Sequence, residues 1–128
     1  MWSLPAKMAA FFGGLHFIGF VVFAGLMLRS AFGPGAAQWQ MGWFSLTIID
    51  FPVSLLMFLD IWPSATITWL PYEISNVRWF IVPCIVFGLI GTLWYATLGG
   101  VIGWVIEAFM RFAARRKQSS GPGSHSVG

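Results

Sequence analysis

Charge is scarce in this chain: four of its 128 residues are acidic and seven are lysine or arginine, 9% charged in all. An ordinary soluble domain carries about 25%, so a solvated, ion-paired surface is excluded for most of the molecule. Cysteine is nearly absent as well. Cys84 stands alone, which rules out an intrachain disulfide and any cysteine-based metal cluster. The second histidine, His125, sits in a polar tail far from His16, so a bis-histidine haem site is not expected and no cofactor is assigned. There is no phosphate-cradling glycine loop ending in Lys-Ser/Thr, no His-Glu-x-x-His, no Cys-x-x-Cys and no Gly-x-Ser-x-Gly. Too few polar groups remain to assemble a nucleophile, a base and an oxyanion hole, so an enzyme is not expected. Internal repeats are absent too, and an inverted-repeat transporter would need a second copy of the chain.

What is present in excess is apolar: 58% of residues are hydrophobic and 18% aromatic, with mean hydropathy +0.79. Three stretches, about residues 8–28, 42–62 and 79–106, carry most of this, and each is long enough at ~1.5 Å per residue to cross a ~30 Å hydrocarbon layer. The chain is therefore read as an all-α integral membrane protein with three transmembrane helices. Its membrane domain covers residues 1–112, and residues 113–128 form a basic, then disordered, tail. The first stretch is longer than a signal-peptide core and is followed directly by Arg29, so it is read as a retained span rather than a cleaved leader.

Gly33, Pro34 and Gly35 predict the reversal after the first span. Residues 63–78 form a second connection, with Trp69 and Tyr72 resting on headgroups and a short β-branched piece, Ala65 to Leu70, too small to build a sheet. Trp2, Trp39, Trp43, Trp62, Trp69 and Trp79 all fall near span ends, where an indole favours the interface. Trp94 and Tyr95 fall mid-span and are read as helix packing, with the polar tips finding internal partners.

Arg111, Arg115, Arg116 and Lys117 place the tail in the cytoplasm and suit a membrane edge rather than nucleic acid. The N-terminal side is not set by charge. Three spans leave Arg29 inside with the tail; a re-entrant second stretch leaves Lys7 there instead, and either way five basic residues face two. Length favours three spans, with the N-terminus outside, because Trp43 and Trp62 bracket a full crossing.

Two residues stand out as costly. Asp50 lies near the middle of the second stretch, where an acid costs about 2.5 to 3.5 kcal/mol on insertion scales. Pro52, two residues on, cannot donate to the carbonyl of Ile48 and predicts a kink beside it. His16 is comparably deep in the first stretch, and a His16–Asp50 pair would satisfy both, as interhelical glue or as a proton relay. The third stretch, followed to Phe112 as one helix, would be about 50 Å long and extend into the cytoplasm, with Glu107 and Arg111 pairing on a solvated turn. Cys84, Gly88, Thr92, Ala96 and Gly100 recur every fourth residue along it as a ridge for close helix approach, with Gly99 and Gly103 adding a Gly-xxx-Gly.

The expectation is a small multi-pass protein of a bacterial inner membrane that acts by helix packing. It would serve as an accessory or assembly subunit of a larger membrane complex or as a homo-oligomer, with the lipid bilayer as its other partner. The competing reading is a proton- or ion-conducting oligomer built on Asp50 and His16.

Overall fold

The computed structural model describes residues 2–33, 41–59, 61 and 63–119, without the side chains of Tyr72, Glu73, Lys117, Gln118 and Ser119. Pro34, Gly35, Trp39, Trp62 and the tail from Ser120 onward, including His125, lie outside the described residues, as does the interfacial contact expected of the Tyr72 side chain.

Among the described residues the chain is helical, with one isolated antiparallel bridge between Thr66 and Asn76. Helix α1 spans Leu4–Ala31, 28 residues or roughly 42 Å. Pro5 sits in its first turn, where a missing N–H costs nothing, and the Phe32 N–H closes its end on the Leu28 carbonyl. After α2 (Trp43–Ile49), a 3-10 helix (Val53–Phe58) and the single turn α3 (Tyr72–Ser75), the chain enters its longest helical run. Asn76 starts that run by accepting the Trp79 backbone N–H on its side-chain oxygen. The run widens into π-helix at Val77–Ile81 and Cys84–Ile90, on either side of Pro83, which has no N–H to give the preceding turn. It then continues as α4, Gly91–Ser119, past Phe112 where the polar tail was expected to begin. Two helices, α1 and the run from Val77 to Arg116, are long and apolar enough to cross a membrane.

These two pack antiparallel, and the glycines show how tightly. A Cβ on Gly103 would lie 2.7 Å from the Pro5 Cα, one on Gly99 2.5 Å from the Met8 carbonyl oxygen, and one on Gly13 3.0 Å from the Ala96 Cβ. Further along, Gly88 faces the Phe20 ring and Thr92 faces His16. The small-residue ridge is therefore spent on α1 of the same chain. Its register differs from the every-fourth spacing: Gly100 is only in ordinary contact, 3.8 Å from Ala9, while Gly99 and Gly103 hold the seam. The reason is geometric, since a step of four residues turns an α-helix by about 400°, drifting ~40° per step away from any fixed face. Cys84, at the other end, lies half-buried against the core instead of in the tight seam.

The second stretch is not one kinked helix. α2 begins beside Met27, near the C-terminal end of α1, and runs down to Asp50, which reaches His16 halfway along. There the chain turns through a cis Phe51–Pro52 peptide, and the 3-10 helix climbs back. Met57 and Phe58 line one cavity of about 170 Å³ together with Trp43, Phe44, Thr47, Arg78 and Trp79, so the hairpin enters and leaves at the same end of the helix pair. Pro52 withholds the donor that the Ile48 carbonyl needs, which ends α2 here, and Ser54 N–H bonds back to the Asp50 carbonyl at 3.0 Å.

Packing also corrects the reading of Trp43. It is 3% exposed, buried in protein instead of presented at the surface, and its ring lies within 6.5 Å of Phe20, Phe23, Phe80 and Phe87, in a core with Leu46, Val53, Val82 and Val86. Trp2, Trp69 and Trp79, by contrast, are exposed. In the 63–78 connection, Ile67 N–H bonds to the Ser75 carbonyl and Val77 N–H to the Ala65 carbonyl, so the β-branched piece forms this one bridge and then turns, with Leu70 N–H bonding back to the Ile67 carbonyl.

Candidate functional site

All three apolar stretches converge on one buried polar cluster. His16 comes from the middle of α1, Asp50 from the tip of the hairpin, and Thr92 and Tyr95 from successive faces of α4. His16 Nε2 lies 2.8 Å from Asp50 Oδ1, and His16 Nδ1 lies 3.1 Å from Thr92 Oγ1. The Asp50 side chain is 0% exposed and that of His16 only 8%. The pair considered from sequence is thus brought together in space.

The chain of hydrogen bonds has a direction. Thr92 donates its hydroxyl to the Gly88 carbonyl one turn back, so its oxygen is free to accept, and Nδ1 of His16 must carry the proton. The Nε2–Oδ1 contact then holds one further proton between ring and carboxyl. It is either an imidazolium donating to a carboxylate or a carboxylic acid donating to a neutral ring, and the pair is neutral overall in both. A dry surrounding strengthens that shared bond and makes an unpartnered group there expensive.

Tyr95 was read as packing with an internal hydrogen-bond partner, and the structure shows which one. Its ring stacks on His16 with centroids 4.5 Å apart, and its hydroxyl donates to the Ile49 carbonyl at 2.8 Å. Ile49 is the last residue of α2, so a side chain from α4 caps the broken helix end. Tyr95→Phe is expected to cost about 1 kcal/mol. Amide hydrogen exchange around Asp50 and Ser54 should speed up roughly fivefold; unchanged exchange there would reject the capping role.

Gly91 carried no signal in the sequence. A Cβ there would lie 3.0 Å from both Asp50 Oδ2 and His16 Cε1, so glycine is what lets the pair sit against α4. Thr92 was legible only as a small ridge residue, not as the acceptor that orients His16. Three buried polar atoms lack a partner among the described residues: Asp50 Oδ2, Ser54 Oγ and Trp43 Nε1. Beside the cluster, a groove of about 400 Å³ runs between α1 and α2, lined by His16, Tyr95 and otherwise by apolar side chains including Phe12, Leu15, Phe20, Leu46 and Ile49. No group of three His, Cys, Asp or Glu able to hold a metal occurs among the described residues.

The arrangement can do two things chemically. It can tie the hairpin to both long helices through one neutral hydrogen-bonded unit, and it can hold a proton that moves between Oδ1 and Nε2. No family model matches the sequence, and comparison with curated proteins and with solved structures returns no match.

Proposed function

We propose that this chain is a small inner-membrane protein with two spans and a re-entrant hairpin, both ends facing the cytoplasm, that acts by helix packing as an assembly subunit or homo-oligomer. The observation that carries the packing role is the internal bonding of His16: Nδ1 meets Thr92, and Nε2 meets the Asp50 carboxyl, which is sealed from solvent. Such a unit fixes how three segments sit together, which is what buried polar groups do for helices in lipid. The outer faces, with Phe11, Ile18 and Val22 on α1, Leu89 on the π-helical segment and Leu93 on α4, are left for lipid or for another chain. The native mass of the protein in mild detergent tests this. A multimer or a co-purifying membrane chain is expected, and a lone monomer would overturn the assembly role.

The hairpin replaces the three-span arrangement in this reading. Because the start of α1 packs at Pro5 against Gly103 of α4, Lys7 lies toward the same side as the basic tail, while Arg29 and Arg78 lie at the other end. Single cysteines at Ser30 and Thr66, in a Cys84→Ala background, should label from the same, non-cytoplasmic face. Labelling from opposite faces would restore three spans.

A second reading, a proton-conducting oligomer, is favoured by one observation: Asp50 Oδ2 is buried without a partner beside a carboxyl–imidazole proton. Reconstituted wild type and Asp50→Asn, compared for proton flux, separate the two. Conduction predicts flux that the amide abolishes, because an amide cannot exchange the proton; packing alone predicts none in either.

A further inference from the structure

The start of α1, at Leu4 and Pro5, packs on Gly103 of α4, and the helix continues from there to Ser119. Beyond Gly103 its apolar side chains are open among the described residues: Trp104 is 66%, Phe109 71% and Phe112 56% exposed. At ~100° per residue, Glu107, Arg111 and Arg115 fall within roughly an 80° arc, with Val105, Ile106 and Phe109 on the other side. Glu107 and Arg111 pair on this exposed turn, as their spacing predicts, and large apolar side chains are exposed beside them.

We propose that this extension, Trp104 to Arg116, binds the phosphate headgroups of anionic lipids where α4 leaves the membrane. Three observations point to that occupant. The charge is complementary: Arg111, Arg115, Arg116 and Lys117 follow Glu107 with no further acid in the sequence after it, and Arg111 engages Glu107 directly. The side chains also form a receptive shape. A hollow of about 370 Å³ is lined by Trp104, Glu107, Ala108, Arg111, Phe112 and Arg115, putting guanidinium donors suited to phosphate oxygens beside aromatic rings suited to the glycerol and upper acyl region. The Arg116 guanidinium stacks over the Phe112 ring, 4.8 Å from its centroid, which keeps that ring and its charge together. Finally, the element is continuous with a helix long and apolar enough to span, so its basic and apolar sides emerge together through the headgroup layer. A protein partner would have to satisfy both sides at once; the membrane edge offers apolar and anionic surface at the same depth.

The proposal rests on the membrane reading above, and one experiment keeps the two apart. The full chain is reconstituted into vesicles of phosphatidylcholine alone or mixed equally with phosphatidylglycerol, floated on a gradient, and its bound lipids are weighed by native mass spectrometry. Wild type should float with both vesicles but retain phosphatidylglycerol preferentially, with the preference reduced by added salt. Arg111→Gln and Arg115→Gln should each lower the preference about fivefold, and the double variant roughly 25-fold. Arg78→Gln, at the other end of the helix pair, should leave it intact. Equal retention of the two lipids by wild type, or a double variant that still prefers phosphatidylglycerol as strongly, would overturn the headgroup site while the membrane reading stands. Failure to float with either vesicle would overturn both.

Discussion

Alanine at Gly99 is expected to force α1 away from α4, whereas alanine at Gly100, the next residue, should pass almost unnoticed. The added methyl at Gly99 would stand 2.5 Å from the Met8 carbonyl oxygen and 2.9 Å from its carbon, and backbone in a helix cannot step aside as a side-chain tip can. At Gly100 the nearest atom is the Ala9 Cβ at 3.8 Å, an ordinary contact. Both substitutions gain the same ~1 kcal/mol of helix propensity, so the difference between them isolates the clash, which overpacking data place at about 1 to 3 kcal/mol. Leucine at Gly99 or Gly103 should be worse, and alanine at Gly14, Gly19 or Gly25, which face open space, should be neutral or better. Unfolding in mild detergent followed by tryptophan fluorescence reads this directly, because Trp43 sits in the core. Equal midpoints for the Gly99 and Gly100 variants would mean that the seam is not where the geometry puts it.

The larger effect belongs to the polar cluster. His16→Ala or Asp50→Ala should each cost about 3 to 5 kcal/mol, because either leaves its partner buried and unbonded. Removing both should cost much less than the sum, since no orphan is then left, and the coupling in the double-mutant cycle should exceed ~1 kcal/mol. Asp50→Asn should be mild. Thr92 holds the proton on Nδ1, so a neutral His16 presents a lone pair at Nε2 that an asparagine amide can donate to. An Asn variant as unstable as the Ala variant would show that the pair is held by charge or by the acid proton, and would weigh toward the conducting reading.

Several features were readable without coordinates, each for a local reason. A run of apolar residues states its own length, so the extent of the first helix and the long third one followed from residues 8–28 and 79–106, though the third runs on past Phe112 to Ser119. An acid and an imidazole in the middle of such runs are conspicuous wherever they point, which is why His16 and Asp50 were named as a candidate pair. Pro52 signalled a backbone break by its missing donor. It did not say whether the chain would continue across or turn back, because that depends on what the second half packs against. Here Leu56 and Met57 return against the Trp43, Val82 and Phe87 core.

By itself, then, the sequence determined the apolar, helical character of the chain, the place of His16 and Asp50 in the middle of apolar runs and the basic stretch at the start of its tail. All of these are properties of composition and of position along the chain. Only the tertiary structure decided that the second stretch is a hairpin, that Trp43 is buried in the core, and that the ridge partner is α1. It also moved the tight contacts to Gly99 and Gly103, because the phase of a 3.6-residue helix over four turns depends on how its partner crosses it. The roles of Thr92, Gly91 and Tyr95 were settled in the same way. Each is defined by an atom on another segment, and no local pattern of spacing or hydropathy records which segment that will be.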